Sequence, residues 1–123
     1  MDKCIFKLCE LREMDKNSLK IEIGKEGKLV FYISGFFDDK EYSIHIYSLI
    51  TKNQFLELEL GIKKDFINYI DSSDVILGCD GIFQVLDDYK IDIVRYLDNK
   101  FCMNIFFRDS YDTIGSIELE FEL

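Results

Sequence analysis

The chain has 123 residues, a length suited to a single domain (1–123), and 48% of them are apolar, enough to bury a core. Its 24 acidic against 15 basic residues give a formal charge of -9. Such a surface repels DNA, RNA and anionic membrane, whose charge must be met by Lys and Arg, and it draws basic proteins instead by long-range steering. Eleven Phe and seven Tyr, with no Trp and no Pro, favour strands and leave chain breaks to Gly, Asn, Asp and Ser.

In chain order, residues 4–11 read as a strand and Asp15-Lys16-Asn17-Ser18 as a turn. Residues 19–23 alternate with period two. Gly24-Lys25-Glu26-Gly27 is turn chemistry, and 29–34 resumes as a strand, which together predicts a hairpin. After a break at 35–40, residues 42–50 form a third strand with Ile44, Ile46 and Ser48 on one side and His45, Tyr47 and Leu49 on the other. The stretch Leu56-Glu57-Leu58-Glu59-Leu60 predicts a strand over 54–60. Gly61 then breaks the chain ahead of a short amphipathic helix over 63–70 that buries Phe66, Ile67 and Ile70 and ends at Asp71-Ser72-Ser73-Asp74.

Strands follow at 75–77, 82–86, 91–97, 101–108 and 114–123, separated by two to five polar residues. Links that short join antiparallel neighbours, because parallel pairs need a long crossover. The expected fold is therefore mainly β, with some α. It is an antiparallel meander of about eight or nine strands, folded as a β-sandwich or strongly curved sheet, with one short helix.

Met1 to Met14 is charged throughout, unlike a signal peptide, and no apolar run nears the roughly 18 residues of a membrane span, so a reducing cytoplasm is expected. Cys4, Cys9, Cys79 and Cys102 have no CxxC spacing and no nearby His, so they read as free, partly buried thiols and not as a zinc site. His45, the single histidine, sits among Ile44 and Ile46 in a strand, a structural setting. No GxSxG or comparable motif supplies a nucleophile with its base, and an enzyme is not expected. Asp38-Asp39, Asp87-Asp88 and the Asp71, Asp74, Asp80 series miss the EF-hand spacing and read as turn aspartates, so no metal or other cofactor is expected.

What remains is binding. On a strand, Glu118, Glu120 and Glu122 would stand about 7 Å apart on one face, and Glu57 and Glu59 would do the same. If the two strands were neighbours, all five carboxylates would share one patch, and a surface needing only solubility would mix in Lys. The alternatives are a plain solvated sheet face or charge that protects an edge. Phe36-Phe37 and Phe106-Phe107 place consecutive aromatics on opposite faces. Phe36 and Phe37, just ahead of Asp38 and Asp39, are the preferred aromatic anchors of an acid-rimmed interface.

The closing run Asp112-Thr113-Ile114-Gly115-Ser116-Ile117-Glu118-Leu119-Glu120-Phe121 follows a helix-then-strands order and contains a Gly-x-Ile-x-hydrophobic-x-hydrophobic motif at Gly115 to Phe121. In this second half the chain resembles the WapI-type immunity proteins of bacterial polymorphic-toxin systems. The resemblance implies a non-enzymatic antitoxin that binds a cognate toxin, often a basic nuclease, and occludes its active site or substrate groove, with carboxylates imitating phosphate spacing. Two other readings stay open. One is a phage-encoded inhibitor of a nucleic-acid-targeting defence complex, using the same acidic mimicry. The other is a carrier of a small hydrophobic ligand inside a curved Phe- and Ile-rich sheet.

Overall fold

The structure, a computed structural model, describes residues 3–8 and 12–123. Cys9, Glu10 and Leu11, the end of the first expected strand, lie outside the described residues, as do Met1 and Asp2. The strands are β1 Lys3–Leu8, β2 Arg12–Glu13, β3 Asp15–Ile23, β4 Lys28–Phe37, β5 Lys40–Thr51, β6 Lys63–Asp65, β7 Ile70–Cys79, β8 Ile82–Val85, β9 Asp88–Leu97, β10 Lys100–Arg108 and β11 Ile114–Glu122. They form two antiparallel sheets, one of six strands in the order β2-β1-β11-β10-β9-β6 and one of five in the order β3-β4-β5-β7-β8. The fold is mainly β, a sandwich whose two sheets share one hydrophobic core.

The period-two pattern sets the faces. In β11, Gly115, Ile117, Leu119 and Phe121 are buried, while Glu118 and Glu122 are exposed. In β5, Ile44, Ile46 and Ser48 point inward, as their alternation predicts. Ser48 is the one polar side chain among the described buried residues. It is accommodated because its hydroxyl donates to Leu29 O at 2.7 Å and to Ile50 O at 3.0 Å.

The middle of the chain departs from the expected pattern. There is no strand over 54–60. Instead Thr51 caps a one-turn helix, α1 (Lys52–Phe55), in a reciprocal capping box: Gln54 N donates to Thr51 Oγ1 at 3.3 Å and Thr51 N to Gln54 Oε1 at 2.8 Å. Turn hydrogen bonds continue through Leu58 N to Phe55 O, and this brings Phe55 and Leu58 onto one buried side. Leu60, which strand alternation would put on the buried side with Leu56 and Leu58, is exposed.

The helix expected over 63–70 is one turn of 3-10 helix, Phe66–Tyr69, entered from the short strand β6. Phe66 and Ile70 are buried, but Ile67 is exposed, because so short a turn presents a single side chain inward. Residues 71–74, expected to end that helix, belong to β7, and residues 15–18, expected as a turn, open β3. The rule that short links join neighbours holds for the hairpins β3–β4, β4–β5, β7–β8, β9–β10 and β10–β11, and it fails at β2–β3, at β6–β7 and between β8 and β9. At the last of these the chain changes sheets through Leu86, whose side chain is buried and whose amide donates to Val75 O at 2.8 Å.

One aromatic–glycine contact explains a residue the pattern alone leaves unexplained. Gly115 faces Phe107 across β10 and β11, and a Cβ at Gly115 would lie 2.1 Å from that ring. The ring is buried against Phe6, with 6.3 Å between centroids, so it has nowhere to retreat. Gly115→Ala should destabilise the fold by about 1–3 kcal/mol, read as a lowered urea midpoint at unchanged slope. Thr51→Ala removes one arm of the capping box and should cost about 1 kcal/mol in the same measurement.

Candidate functional site: the acidic end of the sandwich

The two glutamate groups do not meet. Glu118, Glu120 and Glu122 lie on the outer face of β11, whose neighbours are β1 and β10. Glu57 and Glu59 sit on the loop ahead of β6, at the far side of the same sheet, with β9 and β10 between. That loop is held by Arg95, whose Nη1 donates to Leu58 O at 3.0 Å and whose backbone oxygen accepts from Gly61 N at 2.8 Å.

Nor is the outer face of the six-stranded sheet purely acidic. The cross-strand register sets Lys3 beside Glu120, Lys100 beside Glu122, and Lys7 and Lys90 in the adjoining row. Lys3 lies 3.8 Å from Glu118, and Lys63 and Lys90 lie 3.8 and 4.0 Å from Asp92. The lysines missing from the ladder's own strand are supplied by its neighbours, so this face is a mixed-charge solvated surface.

The aromatic pair at 36–37 is also placed differently from expectation. Both rings are half-buried at the end of β4. Arg12 stacks over Phe37 at 4.4 Å and Lys16 over Phe36 at 5.7 Å, so cations from β2 and β3 already cover them. In the second pair, Phe107 is buried and Phe106 is exposed on the outer face.

Carboxylates do gather at one end of the sandwich, where three turns stand together. The β4–β5 turn is Asp38-Asp39, the β7–β8 turn is Asp80-Gly81, and residues 109–113 join β10 to β11. The first two are tied by Glu41 N donating to Asp80 Oδ1 and Asp80 N to Glu41 O, each 3.0 Å. In the third, Asp109 Oδ1 accepts from the amides of Tyr111 and Thr113 at 2.8 Å each. Asp38, Asp39, Asp80 and Asp112 all have positive φ, between 47° and 63°. Tight hairpin turns demand that conformation, and Asp tolerates it better than most side chains.

Between the second and third turns opens a cleft of about 390 Å³. Among the described residues its walls include Leu8, Tyr42, Leu77, Ile82 and Tyr111, with Asp109 at the rim. The sequence points to Asp38 and Asp39 but carries no local signal for Tyr42, Ile82 and Tyr111. Only the packing of turns from two sheets places those three around one opening.

Two of the described thiols are shifted away from the reactive thiolate form. Burial pushes the Cys4 thiol up to about 11, and burial with the nearby Glu120 carboxylate raises Cys102, so both thiols stay protonated at neutral pH. Among the described residues no three His, Cys, Asp or Glu side chains converge as a metal cage. No helix of the described residues is long and apolar enough to cross a membrane.

His45 lies on the outer face of the five-stranded sheet, with ring centroids 4.8 Å from Tyr32 and 5.9 Å from Phe83, and burial lowers its pKa. The unfolded chain therefore takes up a proton near pH 6.5, while the folded chain does so only at lower pH. The stability this group contributes is full above about pH 6.5 and is lost as pH falls through the folded value. The urea midpoint should drop between pH 7.5 and 5.5, and His45→Gln should flatten that slope. No protein-family model, curated protein or solved structure matches the chain.

Proposed function

We propose that the chain is a non-enzymatic binding protein that neutralises a basic protein partner, in the manner of an immunity protein facing a bacterial toxin. The observation that carries this reading is the conjunction at the acidic end: Asp38, Asp39, Asp80, Asp109 and Asp112 on turns that contain no Lys or Arg, beside a cleft walled by Tyr42 and Tyr111. Carboxylates steer a cationic partner into encounter, and aromatic walls accept the flat guanidinium or the aliphatic stem of its basic side chains. Turns gathered at one end of a sandwich are also where such folds commonly carry recognition. A phage-type inhibitor of a nucleic-acid-targeting complex would use the same chemistry on another partner. An interior ligand carrier is less favoured, because Phe31, Phe55, Phe66, Phe101 and Phe121 fill the space between the sheets.

The test is protection. Co-expression with the toxin polypeptide encoded beside its gene should restore growth, and the purified pair should bind with an affinity that weakens steeply with added salt. Asp38→Asn, Asp39→Gly and Asp112→Asn together keep residues that tolerate positive φ while removing three charges. That variant should fold normally and bind about tenfold or more weakly. Absence of such a neighbouring gene, or no growth rescue, would sink the toxin-neutralising reading. Unchanged binding by the triple variant would move the interface away from this end.

A further inference from the structure

The two sheets have four outer edges, formed by β2, β6, β3 and β8. Free edges invite pairing with other chains, and proteins blunt them with brevity, charge or bulges. Three of these edges are blunted in those ways. β2 is Arg12 and Glu13 only, and β6 is Lys63, Lys64 and Asp65. β3 carries Asp15, Lys16, Lys20 and Glu22, with a register break between Asp15 and Ser18 and Lys16 at φ 52°.

β8 is different. Its residues, Ile82-Phe83-Gln84-Val85, include no charge, and its register with β7 is unbroken. Ile82, Phe83 and Val85 are 78%, 58% and 54% exposed, so nothing among the described residues covers them. Phe83 is nonetheless held in place. Its ring lies across Gly78, where a Cβ would come within 2.7 Å of it, and against His45 at 5.9 Å. Phe83 and Val85 thus form a fixed apolar strip on the outer face beside Ile76. The strand is preceded by Asp80 and followed, after Leu86, by Asp87, while Asp88 opens β9 in the other sheet opposite Arg108.

We propose that the free edge of β8 receives an extended segment of a partner protein as a sixth strand of the five-stranded sheet, with apolar side chains at alternate positions and Lys or Arg at both ends. Backbone hydrogen bonding to an open edge supplies affinity, and the side chains on one face supply selectivity. The acidic termini of β8 select the basic flanks. They also argue against a second copy of this chain, since antiparallel self-pairing of β8 would set Asp80 against Asp87 of the other copy. The proposal does not rest on the partner being a toxin.

A capped peptide, Lys-Lys-Val-Thr-Val-Thr-Val-Lys-Lys, titrated into the isotope-labelled chain is the probe. Saturable NMR shifts and slowed amide exchange at Ile82–Val85, with the β3 edge unchanged, are expected. The same peptide with Glu replacing Lys should bind about tenfold more weakly. Val85→Lys should abolish binding while core resonances stay in place. A peptide N-methylated at alternate positions should also fail, which tests the edge without altering the protein. No saturable binding at millimolar peptide, equal binding of the Glu-flanked peptide, or protection at β3 instead would overturn the proposal. So would a concentration-dependent dimer that protects Ile82–Val85 without peptide, since it gives the edge to a second copy.

Discussion

The contact between Phe31 and Phe121 joins the two sheets, and the rest of the core is arranged around it. Phe31 comes from β4 and Phe121 from β11. Their ring centroids are 5.4 Å apart at an angle of 63°, near the edge-to-face geometry aromatic rings prefer. Phe55 and Phe66 pack against the same Phe31 ring at 5.8 and 6.3 Å, and Phe101 stacks on Phe121 at 5.4 Å. Each such pair adds about 0.5–1.5 kcal/mol beyond the area it buries. With no Trp in the chain, this Phe cluster supplies the volume that holds the sheets together. It also accounts for the irregular segment between β5 and β7, where a capped helical turn and a 3-10 turn each deliver one Phe from outside the sheets into the shared core.

Charge follows a different logic from the core. Along β11 the glutamates alternate with apolar residues, yet across the sheet they meet lysines from β1 and β10, and exposed pairs of that kind contribute little stability. Five aspartates stand instead on the turns at one end, flanked in the chain by Lys40 and Arg108. The same aspartates serve the fold and the electrostatics there. A positive-φ turn position accepts Asp, Asn or Gly, and choosing Asp sets a carboxylate on the turn itself. Fold and charge are therefore coupled at these positions through the turn conformation, while an amide at the same position separates them.

Edges complete the picture. Three of the four sheet edges are short, charged or bulged, and β8 is none of these. Its exposed side chains are ordered by Gly78, because a missing Cβ on β7 lets the Phe83 ring lie down across the sheet. The cleft at the acidic end begins at the same strand, with Ile82 in its wall. The acidic turns and the apolar edge thus form adjoining surfaces on one corner of the sandwich.

Much of the fold was legible in the sequence. Period-two alternation identified the strands from β3 to β5 and from β7 to β11, and it placed Ile44, Ile46, Leu119 and Phe121 in the core, because side-chain direction on a strand is a local property. The segment at 54–60 alternates just as cleanly and is not a strand. There the Thr51–Gln54 capping box, a T-x-x-Q signal in the sequence, and the burial of Phe55 outweigh the pattern. The aspartates at 38–39 are turn residues, as their residue type predicts, since positive φ is also a local demand. Which surface those charges share, which glutamates meet lysines, which aromatics are covered by cations and which edge stays bare are decided by strand order and register. Those depend on contacts between residues distant in the chain, and only the tertiary structure fixes them.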